Sequence, residues 1–278
     1  MDKQSLMHKT HVIANHTGLP FNTVLTHFFL EVLLSRIAAS EGNKNLISKG
    51  GFLLSNILGI KVRTTVDIDF LITGMDMSVP SISAFIIRAI NYPVIPEMIC
   101  ELHSIQQIRE GDPYGGFRAK ILCKLENIRQ IVPLDIATGD PMTPGAIQYK
   151  YIPLFLDQSI QLKSYNVETI LAEKLETVYR RGLVNSRCKD FYDIHVIWKL
   201  KGDWIDIKVF KAAFNNTCNY RHTMVDKQVF NELVELMKTD DQMVNRWHTY
   251  VSRNLYAEKI SFDETLNTLR GIIQVLFD

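Results

Sequence analysis

Two aspartates separated by one residue are the first candidates for chemistry in this chain. Asp67 and Asp69 alternate along an apolar segment, Val66 to Ile72, that is typical of a β-strand. Side chains two residues apart on a strand point to the same face, so the two carboxylates can converge on one point. Mg²⁺ prefers carboxylates, waters and substrate phosphates as ligands. The spacing therefore predicts a metal site, although a solvated acidic face would show the same pattern.

A glycine pair upstream of these aspartates predicts a phosphate-binding turn. Gly50 and Gly51 follow Lys49 and lead into an apolar, helical segment, Phe52 to Leu58. Glycines let backbone N–H groups approach a phosphate at the N-terminus of a helix. An ordinary turn is the alternative, because glycine pairs are common in turns. Together, the glycines and the aspartates predict metal-dependent handling of a nucleoside triphosphate, with Lys49, Gly50 and Gly51 as candidate nucleotide-binding residues.

A third carboxylate, Asp135, lies in an apolar segment, Ile131 to Ile136, that predicts another strand. If this strand neighbours the first, Asp135 joins Asp67 and Asp69 around one or two metal ions. The alternative is that Asp135 caps the turn that follows.

The helical segment around Lys174 and the segment after it carry a second group of charged residues. Lys174 would contact a triphosphate as a point charge, or else extend to solvent along an amphipathic helix. Asp190 and Asp193 share a helix face and are candidate catalytic carboxylates. The alternative is structural, with Asp193 paired to Lys189 four residues before it and Asp190 stabilising the helix dipole.

A basic cluster lies beside these residues and is the candidate RNA-binding surface. It consists of Arg180, Arg181, Arg187 and Lys189. Phosphate binding depends on such local clusters, and Lys189 is also a candidate nucleotide-binding residue. A solvated helix end would look the same, because arginine favours helix C-termini.

Composition is that of an ordinary soluble protein, with 278 residues, 46% hydrophobic residues and a formal net charge of +1. This charge neither requires nor excludes a nucleic acid partner. The four cysteines have no Cys-x-x-Cys spacing, which argues against a zinc site or a disulfide framework. The chain shows neither a long apolar span nor a signal-peptide pattern, so we expect a reduced, cytoplasmic protein with no membrane partner.

The order of predicted elements indicates an α+β fold with two domains. Helices are predicted over 5–41, with a break at Pro20, and over 81–89. Strands are predicted at 66–72, 98–104, 117–125, 131–136, 148–152 and 159–163. From residue 166 the pattern is helical throughout, with helices predicted at about 167–181, 188–200, 207–216, 226–238, 240–255 and 262–277. We therefore expect a mixed α/β domain over 1–165 and an all-α domain over 166–278, both contributing to one cleft.

Five segments in this order resemble the AbiEii abortive-infection toxins, the nucleotidyltransferases of type IV toxin–antitoxin systems. They are Lys-Gly-Gly-Phe-Leu-Leu at 49–54, Arg-Thr-Thr-Val-Asp-Ile-Asp-Phe at 63–70, Leu134-Asp135 with Thr138-Gly139-Asp140, Ile-Leu-Ala-Glu-Lys-Leu-Glu at 170–176, and Arg-Cys-Lys-Asp-Phe-Tyr-Asp at 187–193. The resemblance covers roughly residues 45 to 200. It implies a mixed-sheet, DNA polymerase β-like nucleotidyltransferase core with an appended helical domain.

The resemblance also implies roles for individual residues. Gly50 and Gly51 would bind phosphate, and Asp67 and Asp69 would hold Mg²⁺ or Mn²⁺. Lys174 would bind the triphosphate of the NTP substrate. Asp190 and Asp193 match an Asp-x-x-Asp motif, with Asp193 as the catalytic partner. One departure is Phe52, because many relatives of this superfamily have a hydroxyl residue after the glycine.

The biology that the resemblance implies is phage defence in a bacterium. Such toxins transfer a nucleotide to RNA, in particular the acceptor end of tRNA, and arrest growth. Their antitoxin is a separate winged-helix protein that needs no stable complex with the toxin. Two other functions use the same pocket: sequestration of a target without transfer, and transfer to a protein hydroxyl.

Overall fold

The computed structural model describes residues 2–108, 115–139 and 141–278. The sequence Asp-Pro-Tyr-Gly-Gly at 112–116 predicts a turn-rich connector, most of which lies outside the described residues. Asp140 of the third segment also lies outside them. The chain forms two compact units. One comprises residues 1–140 and 146–165, and the other comprises 141–145 and 166–278. The short segment 141–145, which the predicted division placed in the first domain, packs with the helical unit. There the backbone of Thr143 bonds to the side chains of Asn166 and Thr169.

The first unit contains four helices and a seven-stranded sheet. The helices are α1 (Lys3–Thr17), α2 (Phe21–Ala39), α3 (Gly50–Leu58) and α4 (Val79–Ile90). The strands are β1 (Leu46–Lys49), β2 (Ile68–Ile72), β3 (Met98–Ile108), β4 (Gly116–Leu125), β5 (Ile128–Ala137), β6 (Ile147–Tyr151) and β7 (Ile160–Ser164). A 3₁₀ helix, Glu41–Asn45, connects α2 to β1.

The sheet is mixed, with strand order β3-β4-β5-β2-β1-β7-β6. Strands β2 and β5 are parallel, as are β1 and β7, whereas the other neighbouring pairs are antiparallel. The predicted α+β class with a mixed sheet is confirmed. Strand β1 was missed because it has only four residues and passes directly into α3. Strand β2 begins at Ile68, so Asp67 lies immediately before the strand that was predicted to contain it.

The core of this unit lies between the sheet and α2, which is buried on nearly all sides. Alternation along β5 places Val132, Leu134 and Ile136 in the core and leaves Asp135 on the opposite face. Two charged residues of α2 are buried and bonded to backbone. The carboxylate of Glu31 accepts hydrogen bonds from the N–H groups of residues 154 and 155, and Arg36 donates to the carbonyl groups of residues 90 and 95. These bonds offset the cost of burying both charges.

The second unit is helical. Its helices are α5 (Val167–Arg181), α6 (Cys188–Lys201), α7 (Ile207–Tyr220), α8 (Lys227–Thr239), α9 (Asp241–Arg253) and α10 (Phe262–Phe277), with short 3₁₀ helices at Gly182–Val184, Gly202–Trp204 and Leu255–Ala257. Five of the six α-helices have a side-chain N-cap, and α10 begins with a capping box between Ser261 and Glu264. These caps satisfy N–H groups that would otherwise lack partners.

Helix α6 is buried on several faces, from Cys188 through Ile197. It therefore carries polar side chains, Asp190 and Asp193, into the interior of the helical unit. Among the residues that the structure describes, no helix is both long enough and apolar enough to span a membrane.

Candidate active site

Four charged residues form a row across four neighbouring strands of the sheet. Arg118 on β4 is paired with Asp135 on β5, Asp135 with Asp69 on β2, and Asp69 with Lys49 on β1. Side chains of directly paired residues lie on the same face of a sheet. The register therefore places two carboxylates side by side, with one cation on each flank.

Asp67, immediately before β2, completes a cluster of three carboxylates. One carboxylate oxygen from each of Asp67, Asp69 and Asp135 lies within 4.8 Å of the other two, and all three residues are partly buried. Carboxylate oxygens are the donor set that Mg²⁺ and Mn²⁺ accept. The described residues thus fit a divalent metal ion at this point of the sheet.

Gly50 is required at the start of α3 by both its backbone and its surroundings. Its φ is +72°, which L-residues rarely adopt, and a Cβ there would lie 2.0 Å from Oδ2 of Asp69. The N–H of Gly51 donates a hydrogen bond of 3.4 Å to the same oxygen. The positive end of the helix dipole therefore faces the Asp69 carboxylate. The glycine pair positions a carboxylate of the cluster, and its contact with a phosphate stays a prediction.

Phe52 belongs to the core, which explains why this position carries no hydroxyl. It is 1% exposed, and its ring stacks on Tyr151 at a centroid distance of 5.3 Å. A hydroxyl reaches the same turn from Thr65, whose Oγ1 would lie 3.0 Å from a Cβ on Gly51. Thr65 donates a hydrogen bond to Asp67. The role of Thr65 was not found from the sequence, because threonine in a loop carries no signal by itself.

Lys49 lies at the other flank of the row. Its Nζ is 3.2 Å from the hydroxyl of Tyr165 and 4.7 Å from the centre of that ring. Tyr165 is 1% exposed and follows β7 directly, so it holds the lysine against the end of the sheet. Lys49 was predicted to bind nucleotide, and the structure places it next to Asp69.

Arg118 is a second site residue that sequence analysis missed. Its Nε and Nη2 donate to Oδ1 and Oδ2 of Asp135 at 2.7 and 2.6 Å. The hydrogen bonds and the charge of Asp135 raise the pKa of the Arg118 guanidinium. Asp135 therefore does not cap the turn after β5, the alternative that its sequence position left open. Only the strand register reveals this pair, because its two members lie 17 residues apart.

A buried charge network surrounds Lys174 in the helical unit. Its Nζ lies 2.7 Å from Oδ1 of Asp190 and 2.8 Å from Oδ2 of Asp193, and both carboxylate side chains are 1% exposed. The Nε of Arg187 donates to the other oxygen of Asp190 at 2.6 Å. Lys174 is therefore anchored inside the helical unit, and the alternative that it extends to solvent is wrong.

The pKa values of this network follow from its charges. Burial by itself would raise the pKa of Asp190, but Lys174 and Arg187 outweigh burial and hold that pKa at about 2. Burial would lower the pKa of Lys174, whereas Asp190 and Asp193 raise it above its ordinary value. Asp190 and Lys174 are consequently both ionised at neutral pH.

The predicted basic cluster is only partly available to an anion. Arg187 is paired with Asp190, and Arg180 donates at 2.8 Å to Glu176, which is fully buried. Arg181 and Lys189 are exposed. The four residues therefore do not form one uncompensated basic patch, and their contact with RNA stays a prediction.

Comparison with known proteins identifies the family. Residues 32–268 match the family described as nucleotidyl transferase AbiEii toxin, type IV toxin–antitoxin system. The chain belongs to this family. The resemblance predicted from its motifs is thereby confirmed, and the protein is a nucleotidyltransferase toxin of the type IV class. No curated protein sequence matches this AbiEii-family chain.

Solved structures from Helicobacter pylori share the fold of this AbiEii-family protein. A candidate nucleotidyltransferase is 13% identical, with a TM-score of 0.54, covering 93% of this chain and 96% of the other. The protein JHP933 is 14% identical, with a TM-score of 0.53, covering 92% and 91%. At these identities the likeness concerns the fold alone, and it agrees with the predicted nucleotidyltransferase core.

Proposed function

We propose that this AbiEii-family protein transfers a nucleotide from an NTP to a hydroxyl of RNA, at the acceptor end of tRNA, and thereby arrests growth. The acceptor oxygen forms a bond to the α-phosphorus, the bond from that phosphorus to the leaving pyrophosphate breaks, and the acceptor proton passes to a carboxylate. The observation that carries the proposal is the convergence of Asp67, Asp69 and Asp135 within 4.8 Å beside the glycine turn.

Asp67 and Asp69 are the metal ligands in this proposal, and Asp135 is the third. A bound Mg²⁺ or Mn²⁺ supplies positive charge for the triphosphate and lowers the pKa of the attacking hydroxyl. The chain itself fixes the carboxylates in advance. Thr65 holds Asp67, and the N–H of Gly51 and the register of β2 with β5 hold Asp69. Such preorganisation avoids rearrangement during the reaction.

The nucleotide is bound by backbone and by cations. The N–H of Gly50 at the start of α3, together with Lys49, provides donors for phosphate oxygens, and in this proposal the N–H of Gly51 is shared between Asp69 and a phosphate. Lys174 is assigned to the leaving phosphates as a point charge, for which it would exchange its contacts with Asp190 and Asp193. The exposed Lys189 adds a second positive charge.

Both aspartates of α6 accept a hydrogen bond from Lys174. Asp190 accepts from both Lys174 and Arg187, which suits a carboxylate that positions others. Asp193 accepts from Lys174 and is the residue we assign to orient or deprotonate the acceptor. Arg180, Arg181 and Arg187 are assigned to RNA. The partner antitoxin is a winged-helix protein that acts without a required stable complex.

The experiment is transfer of label from each α-labelled NTP to total bacterial RNA in the presence of Mg²⁺. We expect label on RNA with the wild-type protein and none with Asp67→Asn. Asp76→Asn is the matched control, because Asp76 is exposed in the loop after β2. Release of pyrophosphate without labelled RNA would indicate a protein acceptor. Neither label nor pyrophosphate, from protein that still arrests growth, would refute transfer and indicate sequestration.

A further inference from the structure

Arg118 is paired with both carboxylate oxygens of Asp135 in the structure. Its guanidinium donates to both carboxylate oxygens, at 2.7 and 2.6 Å, in the bidentate arrangement that gives the strongest ion pairs. Yet Asp135 is also one of the three carboxylates whose oxygens lie within 4.8 Å of one another. One side chain therefore serves two competing purposes, as an arginine partner and as a candidate metal ligand.

The position of Arg118 stabilises three carboxylates that lie close together. Like charges at this separation repel one another, and a nearby cation offsets that repulsion. The charges of Asp67 and Asp69, in addition to that of Asp135, favour the charged form of the Arg118 guanidinium and raise its pKa. Its side chain is 43% exposed, whereas that of Asp135 is 16% exposed. The guanidinium can therefore withdraw toward solvent while the carboxylate stays in place.

We propose that Arg118 is the counter-ion of the carboxylate cluster in the metal-free protein and competes with a divalent cation for Asp135. This inference rests on the proposed function, because it takes the three carboxylates as the metal site. Asp67 and Asp69 hold the cation in either state, and Asp135 becomes a ligand only when Arg118 releases it. Arg118 is thus a positioning residue that lowers metal affinity.

The test is direct binding of Mn²⁺ alone to the protein. The electron paramagnetic resonance signal of the free ion measures how much Mn²⁺ stays unbound. Arg118→Gln should bind Mn²⁺ about tenfold more tightly than the wild type, because a neighbouring positive charge is removed. Lys124→Gln is the matched control. Lys124 lies on the same strand, β4, and pairs with Glu101 at 2.7 Å, so its loss should leave Mn²⁺ affinity unchanged.

Two further variants control for a folding defect and test whether Arg118 acts through Asp135. Arg118→Lys keeps the charge and should bind Mn²⁺ with nearly wild-type affinity. In an Asp135→Asn background, adding Arg118→Gln should change Mn²⁺ affinity less than it does in the wild type, as a double-mutant cycle measures. Without metal, Arg118→Gln should unfold at a lower temperature than the wild type, and saturating Mn²⁺ should restore more stability to it than to the wild type.

A change in the Mn²⁺ affinity of Arg118→Gln opposite to the expected one would overturn the inference. If Arg118→Gln binds Mn²⁺ with unchanged or lower affinity, Arg118 does not compete with the metal. That result leaves the proposed function standing as long as the wild type binds Mn²⁺ and Asp67→Asn does not. If the wild type itself fails to bind Mn²⁺, the metal site and this inference fail together.

Discussion

Replacement of Lys174 by methionine would leave two buried carboxylates without their shared partner. The Lys174 ammonium lies 2.7 and 2.8 Å from Asp190 and Asp193, whose side chains are 1% exposed. Methionine keeps most of the side-chain length and removes the charge. Removal of one partner from a buried ion pair costs about 3–5 kcal/mol, so we expect Lys174→Met to lower the free energy of unfolding of the helical unit by about that amount at pH 7.

The loss of unfolding free energy in Lys174→Met should depend on pH, and the buried carboxyl groups set the direction of that dependence. In the variant, burial without the lysine raises the pKa of one carboxyl group above its ordinary value. A group with a raised pKa in the folded state destabilises the fold increasingly as pH rises through that pKa. In the wild type, the pKa of Asp190 is about 2, so its carboxylate is charged at pH 5 and at pH 7. The difference between wild type and variant should therefore be smaller at pH 5 than at pH 7.

Tryptophan fluorescence isolates this effect. The three tryptophans, at positions 198, 204 and 247, all belong to the helical unit. Urea unfolding followed by their emission therefore reports on the unit that contains Lys174. Lys189→Met is the matched control, because Lys189 is exposed on α6 beside Asp190. We expect that control to stay within about 0.5 kcal/mol of the wild type.

Two results would refute this reasoning. The first is a Lys174→Met protein within about 1 kcal/mol of the wild type at pH 7, which would mean that the carboxylates are not energetically buried. The second is an equal deficit at pH 5 and pH 7, which would show that the loss comes from packing instead of charge.

Three other predictions follow from single contacts. Gly50→Ala should abolish Mn²⁺ binding and lower the melting temperature, because its Cβ would fall 2.0 Å from Asp69 Oδ2. Gly18→Ala is the control, since Gly18 has φ +74° with open space around it. It should keep Mn²⁺ binding and lower the free energy of unfolding by only about 1 kcal/mol. Asp190 should contribute about 2 kcal/mol to the free energy of unfolding of the helical unit above pH 4, and this contribution should be lost as pH falls through about 2. Acid unfolding followed by tryptophan emission measures the loss. Glu31→Gln should cost about 1–3 kcal/mol in thermal unfolding followed by circular dichroism, because an amide NH₂ would face a backbone N–H donor; a melting curve like that of the wild type would contradict it.

Local patterns predicted most of the secondary structure, for reasons visible in particular elements. Helix α5 was predicted over 167–181 and is observed over Val167–Arg181. Asn166 caps its first turn, and Gly182 ends it. Strand β5 was predicted over 131–136 and extends over Ile128–Ala137, because pairing with β4 continues beyond the apolar positions. Pairing between strands sets such ends, and pairing is not encoded locally.

The sequence by itself determined most of the elements, the family and the carboxylates of the candidate site. Side-chain alternation along a strand and the order of the motifs are properties of neighbouring residues, so Asp67, Asp69 and Asp135 could be found without coordinates. The tertiary structure alone decided what those carboxylates contact. Strand register brought Arg118 to Asp135, and helix packing fixed Lys174 between two aspartates, because these contacts join residues 16 to 19 positions apart whose separation carries no periodic signal.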